Sequence, residues 1–220
     1  MSKHTSNPTS ARRTFCKLTL AGVTAAGAGA FLRSSPALAQ RAMEEKVTPQ
    51  AIETIVTGWP DKQREVAKHI IEKYGLPNGG TTTNRLIWLE HGPWKYSIIC
   101  REEIPHNFPL KHMDILEQAI DYRVPPDKCN ELAAYNGSVT VRRTKGELAA
   151  MCDKEAMNFL ALNLAHDIII GKLSVEAARQ AYTAAAVAFM KGEQPPYTQA
   201  LQFQVPQKNT GDPDQVTATM

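Results

Sequence analysis

"RLIWLEHGPWKYSIICRE", residues 85–102, is the stretch that decides the fold. Two runs rich in β-branched and aromatic residues flank His91-Gly92-Pro93, which predicts a β-hairpin rather than a helix. Residues two apart on a strand share a face, so Cys100 is expected on an apolar side with Trp94, Tyr96 and Ile98, as a buried thiol. Upstream, Thr48-Pro49 reads as an N-cap followed by proline at the first helical position, and this short helix stops at "GWP", residues 58–60. "DKQREVAKHIIEKYG", residues 61–75, places Val66, Ala67, Ile70, Ile71 and Tyr74 on one stripe and stops at Gly75. "LPNGG", residues 76–80, is the turn into the hairpin.

Downstream, "AIDYRVP", residues 119–125, alternates as a third strand. A short helix from Pro126 to Tyr135 closes at Asn136-Gly137. "SVTVRRTKGELAAMC", residues 138–152, predicts a second hairpin turning at Lys145-Gly146. Asp153 is expected to cap a long helix to Ile170, and Ser174 a last one to Met190. Helices, strands, one short helix, strands and helices again make an α+β plan. Its sheet is mainly antiparallel, with about five short strands (two hairpins plus one strand) and flanking helices.

The N-terminus has a different character. In "SARRTFCKLTLAGVTAAGAGAFLRSSPALAQ", residues 10–40, Arg12 and Arg13 precede Phe15 and Lys17. A mildly apolar run from Leu18 to Leu32 follows, then Arg33 and the small-residue pattern Ala37-Leu38-Ala39. This resembles a bacterial twin-arginine (Tat) signal peptide, with Ala11 where Ser or Thr is usual. The resemblance implies export to the periplasm or exterior, with the translocation machinery and signal peptidase as partners and cleavage after Ala39. The run is short of the roughly 18–20 apolar residues of a spanning helix, so no stable membrane anchor is expected after cleavage. The chain then divides into a leader (1–39), a flexible lead-in (40–47) and a single α+β domain (48–191). The remainder, 192–220, is a Pro/Gln/Thr-rich tail read as largely disordered or loosely docked.

The leader holds five of the 25 basic residues and none of the 22 acidic ones, so the chain after Ala39 carries a formal charge of −2. That balance offers no footprint for nucleic acid. Cys100, Cys129 and Cys152 remain after cleavage. They are read as buried thiols with room for one bridge, and Cys152, just before a helix N-terminus, as the most reactive.

The chemistry-bearing span is "CREEIPHNFPLKHMD", residues 100–114. Its prolines and asparagine predict a stiffened loop reaching to His112. His112 and Asp114 would sit close together there, and His106 could fold back to meet them. Imidazole and carboxylate suit zinc, copper or iron. His166 lies on a helix that is apolar almost all round, so it is expected to be partly buried, as a core histidine or a further ligand. His91 is another candidate partner, whereas His69 falls off its helix's apolar stripe and should be solvated. Glu102 and Glu103 are adjacent on a strand and would point apart, which makes them a poor acid/base pair. The domain shows no G-x-S-x-G, H-E-x-x-H, C-x-x-C, Walker or dinucleotide pattern, and it resembles no family through such motifs. Two functional readings follow: an exported periplasmic binding or accessory protein without evident catalysis, or a metal-binding protein, redox or hydrolytic, built on His106, His112 and Asp114 with His91 or His166.

Overall fold

The structure, a computed structural model, describes residues 47–206 and 210–219; the Tat-like residues Arg12, Arg13, Phe15, Lys17, Ala37 and Ala39 lie outside them. The protein is α+β. Helices α1 (Pro49–Val56) and α2 (Asp61–Tyr74) lead into strands β1 (Gly80–Thr82), β2 (Arg85–His91), β3 (Trp94–His106) and β4 (His112–Asp121). A short 3-10 turn and α3 (Cys129–Tyr135) precede β5 (Val139–Arg142) and β6 (Glu147–Cys152). The helices α4 (Glu155–Ile169) and α5 (Val175–Met190) follow. All strand pairs are antiparallel and the sheet order is β1-β2-β3-β4-β6-β5.

Local chemistry accounts for most boundaries. The Thr48 side chain accepts from the Ala51 amide with Pro49 next to it, and Ser174 caps α5 in the same way through Ala177. Gly75, at a φ of 83°, ends α2. The β2–β3 hairpin turns through Gly92-Pro93, with His91 paired to Trp94. Gly92 has a φ of 52°, and a Cβ there would lie 2.8 Å from the Tyr74 ring, so both conformation and space call for glycine. Asp153 does not cap α4. Lys154 holds the N-cap position without a side-chain bond, and Asp153 pairs with lysines instead.

The sheet has six strands, close to the expected five; the additional one, Gly80–Thr82, begins at the last residue of the expected turn and pairs back on β2. The strands around the histidines are also longer than the prolines suggested. β3 runs on through Pro105 to His106 after a register shift between Ile99 and Ile104, and β4 begins at His112. The supposed loop shrinks to residues 107–111. Proline is tolerated there because β2 pairs with β3 only as far as Cys100, so this stretch of β3 pairs with β4 alone.

Two clusters form the core. One joins Ile70, Leu86, Trp88, Ile99 and Leu116; the other joins Leu132, Tyr135, Leu148, Leu160, Leu162 and Tyr182. Along β3, Ser97 and Ile99 are buried while Tyr96 and Ile98 are half-buried, so the expected core phase is off by one residue there. The cause is the partner strand: Ile99 and Ser97 pair with Leu86 and Trp88, which face α2, whereas Tyr96 turns to Glu117 and Arg142. Helix α4 is buried on both sides, as its sequence implies.

Glu155 closes the gap between the clusters. It accepts from Tyr74 and Trp94 at 2.6 Å each, from Gln118 at 3.3 Å, and from Lys73. Of the two readings of the segment after residue 191, disordered or loosely docked, docking is what the structure shows around residues 197–203. Asn163 of α4 binds the carbonyls of Tyr197 and Ala200 and the amide of Gln202, and Phe203 stacks on His166. Among the described residues, no helix is long and apolar enough to cross a membrane.

Candidate metal centre

His106 and His112 are cross-strand partners at the end of the β3–β4 hairpin, and Asp114 lies two residues along β4 from His112. Directly opposed residues share a face, as do residues two apart on a strand. The pairing therefore puts all three side chains on one side of the sheet's end. Leu116, two further on, pairs with Cys152 of β6, which brings Cys152 to the same side.

The three groups converge. One ligand atom from each of His106, His112 and Asp114 can be chosen so that all lie within 4.8 Å of one another. The two imidazole rings are 4.9 Å apart, centre to centre. His112 Nε2 stands 3.2 Å from Asp114 Oδ1, and His106 Nδ1 stands 3.5 Å from Oδ2. Asp114 is only 3% exposed, and its Oδ1 has no hydrogen-bond partner among the described residues. An orphaned buried carboxylate oxygen is costly, and it needs a proton donor or a cation.

Neighbouring groups fix the rings. His112 Nδ1 faces the Leu110 carbonyl at 2.8 Å, which orients Nε2 toward the cluster. A carbonyl on the far nitrogen is the usual support of a metal-binding histidine. Ser138, just before β5, donates to Asp114 Oδ2 and sits 3.2 Å from His106 Nδ1. Phe108 pins the connecting loop: its ring packs 5.1 Å from that of Tyr182 and lies under the Arg179 guanidinium at 3.9 Å.

The two histidines titrate in opposite directions. The Asp114 carboxylate, and next the Cys152 sulfur, push His112 up to about 11. Burial pulls His106 below its ordinary value despite the same carboxylate.

The other candidates lie apart. His166 bonds to the Tyr122 hydroxyl at 2.8 Å and stacks on Phe203 at 4.2 Å, so it is a core histidine that anchors the C-terminal segment. His91 meets Ser97 Oγ at 2.9 Å and the edge of Tyr74. His69, Glu102 and Glu103 are exposed. The three cysteines among the described residues are free thiols: Cys100 is buried, its thiol pushed up by burial, Cys129 is only half-buried, and Cys152 is buried beside His112. Ser138 and Cys152 were missed as neighbours of the cluster, because strand pairing far along the chain brings them there and no local motif marks it.

The fold and the site thus define an α+β protein with a His106/His112/Asp114 group that could hold a metal ion. Compared with protein families, with characterised proteins and with solved structures, the chain matches none.

Proposed function

We propose that this chain is an exported metal-binding protein that holds one divalent transition-metal ion between His106, His112 and Asp114. Zinc is the first expectation, with copper and iron as the competing ions. Two imidazoles and one carboxylate make the nitrogen and oxygen set that zinc accepts, whereas magnesium and calcium prefer oxygen alone. The observation that carries the reading is the convergence of His106, His112 and the buried Asp114 carboxylate, with His112 Nε2 3.2 Å from Oδ1. Export rests on the twin-arginine pattern, and on this reading the leader engages the translocation machinery and signal peptidase. Binding is the role supported: Cys152 and Asp114 both meet Nε2 of His112 and so do not form a relay through its ring.

Metal content tests the reading. Protein purified from the exported fraction, without affinity tag or chelator, should carry close to one equivalent of zinc, copper or iron by mass spectrometry. The His106→Ala/His112→Ala double variant should remain folded and carry almost none. Metal far below one equivalent in the native protein, together with no zinc uptake in titration, would return the cluster to a hydrogen-bonded hairpin end.

A further inference from the structure

We infer that Cys152 is the fourth ligand of this centre, so that the ion is held in a closed His-His-Asp-Cys set. The inference rests on the metal reading above and adds to it a donor and a coordination type. Cys152 Sγ lies 3.4 Å from His112 Nε2, on the same nitrogen that faces Asp114 Oδ1. A Cys-His-Asp catalytic relay needs the thiol and the carboxylate on opposite ring nitrogens, with the proton passed between them. Here the far nitrogen, Nδ1, is occupied by the Leu110 carbonyl, and both acidic groups crowd Nε2. A histidine that donates Nδ1–H to that carbonyl offers Nε2 to an ion once the second ring proton leaves, beside a carboxylate oxygen whose nearest polar neighbour is that same nitrogen. In the metal-free protein the imidazolium proton stands between these groups; an ion that displaces it would meet a nitrogen, a carboxylate oxygen and a sulfur together.

The two edges at His112 Nε2 suit a tetrahedron, and His106, within 4.8 Å of the other ligand atoms, would close in as the ion binds. Ligand atoms about 2.0 to 2.3 Å from zinc lie roughly 3.3 to 3.6 Å from one another in that geometry. The Nε2–Oδ1 and Nε2–Sγ separations are 3.2 and 3.4 Å. Asp114 and Cys152 are 3% and 4% exposed, so these two donors are already shielded from water, while the two histidines are half-buried. A cavity of about 290 Å³, bounded by Leu110, Met157, Tyr182 and Phe189, reaches the sulfur and the His112 ring and gives the ion a way in. Four protein donors leave no position for water or substrate, which is the mark of a structural rather than a hydrolytic site. The ion would tie the tip of the β3–β4 hairpin to the junction of β6 and α4.

Cobalt(II) added to the full mature chain distinguishes the possibilities. The expected result is saturation at one equivalent, with a near-ultraviolet sulfur-to-cobalt charge-transfer band and tetrahedral visible absorption. The band should survive in a Cys100→Ser/Cys129→Ser variant and vanish in Cys152→Ser. Removing a direct donor should weaken affinity in that variant by about 100-fold, the upper end for loss of an outer-shell partner. Stoichiometric cobalt in the native chain without the band, or a band that persists in Cys152→Ser, overturns the fourth ligand and leaves the three-ligand reading standing. No cobalt or zinc uptake at all overturns both. The native spectrum decides the matter even if Cys152→Ser fails to fold.

Discussion

His112 and His106 stand side by side, yet the surrounding charge favours a proton on the first and burial removes it from the second. A metal ion must displace the His112 proton before it can use Nε2. Affinity for zinc should therefore rise at least about tenfold per pH unit between pH 6.5 and 8.5, since one proton or more leaves for each ion bound. Competition titrations across that range would reveal it, and a flat profile would contradict the role given to His112. In the metal-free protein the sign is the reverse. The folded value lies above the ordinary 6.5, so the His112–Asp114 contact stabilises fully below about pH 6.5 and fades as pH climbs toward 11. Glu155 runs the other way. Burial would raise it, but hydrogen bonds from Lys73, Tyr74 and Trp94 outweigh that and hold it below its ordinary 4.5. Its contribution is present above that value and is lost as pH falls through the lowered one. Glu155→Ala would strand the Trp94 and Tyr74 donors in the interior. It should cost about 3 to 5 kcal/mol in urea unfolding at neutral pH, while Glu155→Gln keeps an acceptor and costs less. Equal, small losses in both variants would show that the network carries little.

At the scale of elements, the β3–β4 hairpin and the docked C-terminal segment matter most. The hairpin brings His106 opposite His112 only because β3 continues through Pro105. The spacing of His112 and Asp114 was legible as a period of two, but the prolines and Asn107 read locally as a loop. Which edge of a strand stays free of partners is set by the sheet, not by the residues on the strand. The C-terminal segment shows the same limit. Its Pro and Gln content signals no autonomous structure, and it is ordered by Asn163 and His166, side chains that belong to α4. Gly146 depends on this docking as well as on its turn. Its φ is 64°, and a Cβ there would fall 2.0 Å from the Thr210 carbonyl oxygen. Gly146→Ala should cost about 1 to 2 kcal/mol from the left-handed backbone alone. It should also loosen residues near 210, measurable as faster limited proteolysis there. Unchanged stability and cleavage would mean that the segment does not rest on the turn.

For the whole molecule, an ion held by the proposed ligand set would clamp β3, β4 and β6 together. An ion that binds the folded chain alone adds stability by mass action, about 2.7 kcal/mol at a hundredfold excess over its Kd. For a domain of this size that corresponds to a rise in Tm of roughly 5 to 10 °C, reversed by a chelator. Calorimetry with zinc and then EDTA would show it. A Tm indifferent to both would place the ion, if bound at all, outside the folded core.

The sequence by itself determined the α+β class, the caps of α1 and α5, both hairpin turns, the two-sided burial of α4, and the three residues that now form the cluster. Each is written in spacing a few residues long: alternation for strands, helical stripes, a cap or a glycine at a turn. The tertiary structure alone decided that His166 leaves the cluster for Phe203, that Ser138 and Cys152 join it, and that Asp114 is buried with one oxygen unpaired. These are long-range meetings, made by strand order β4-β6-β5 and by the packing of α4. Local sequence carries the propensity of each element, but the register between distant elements is fixed only when their faces are buried against each other.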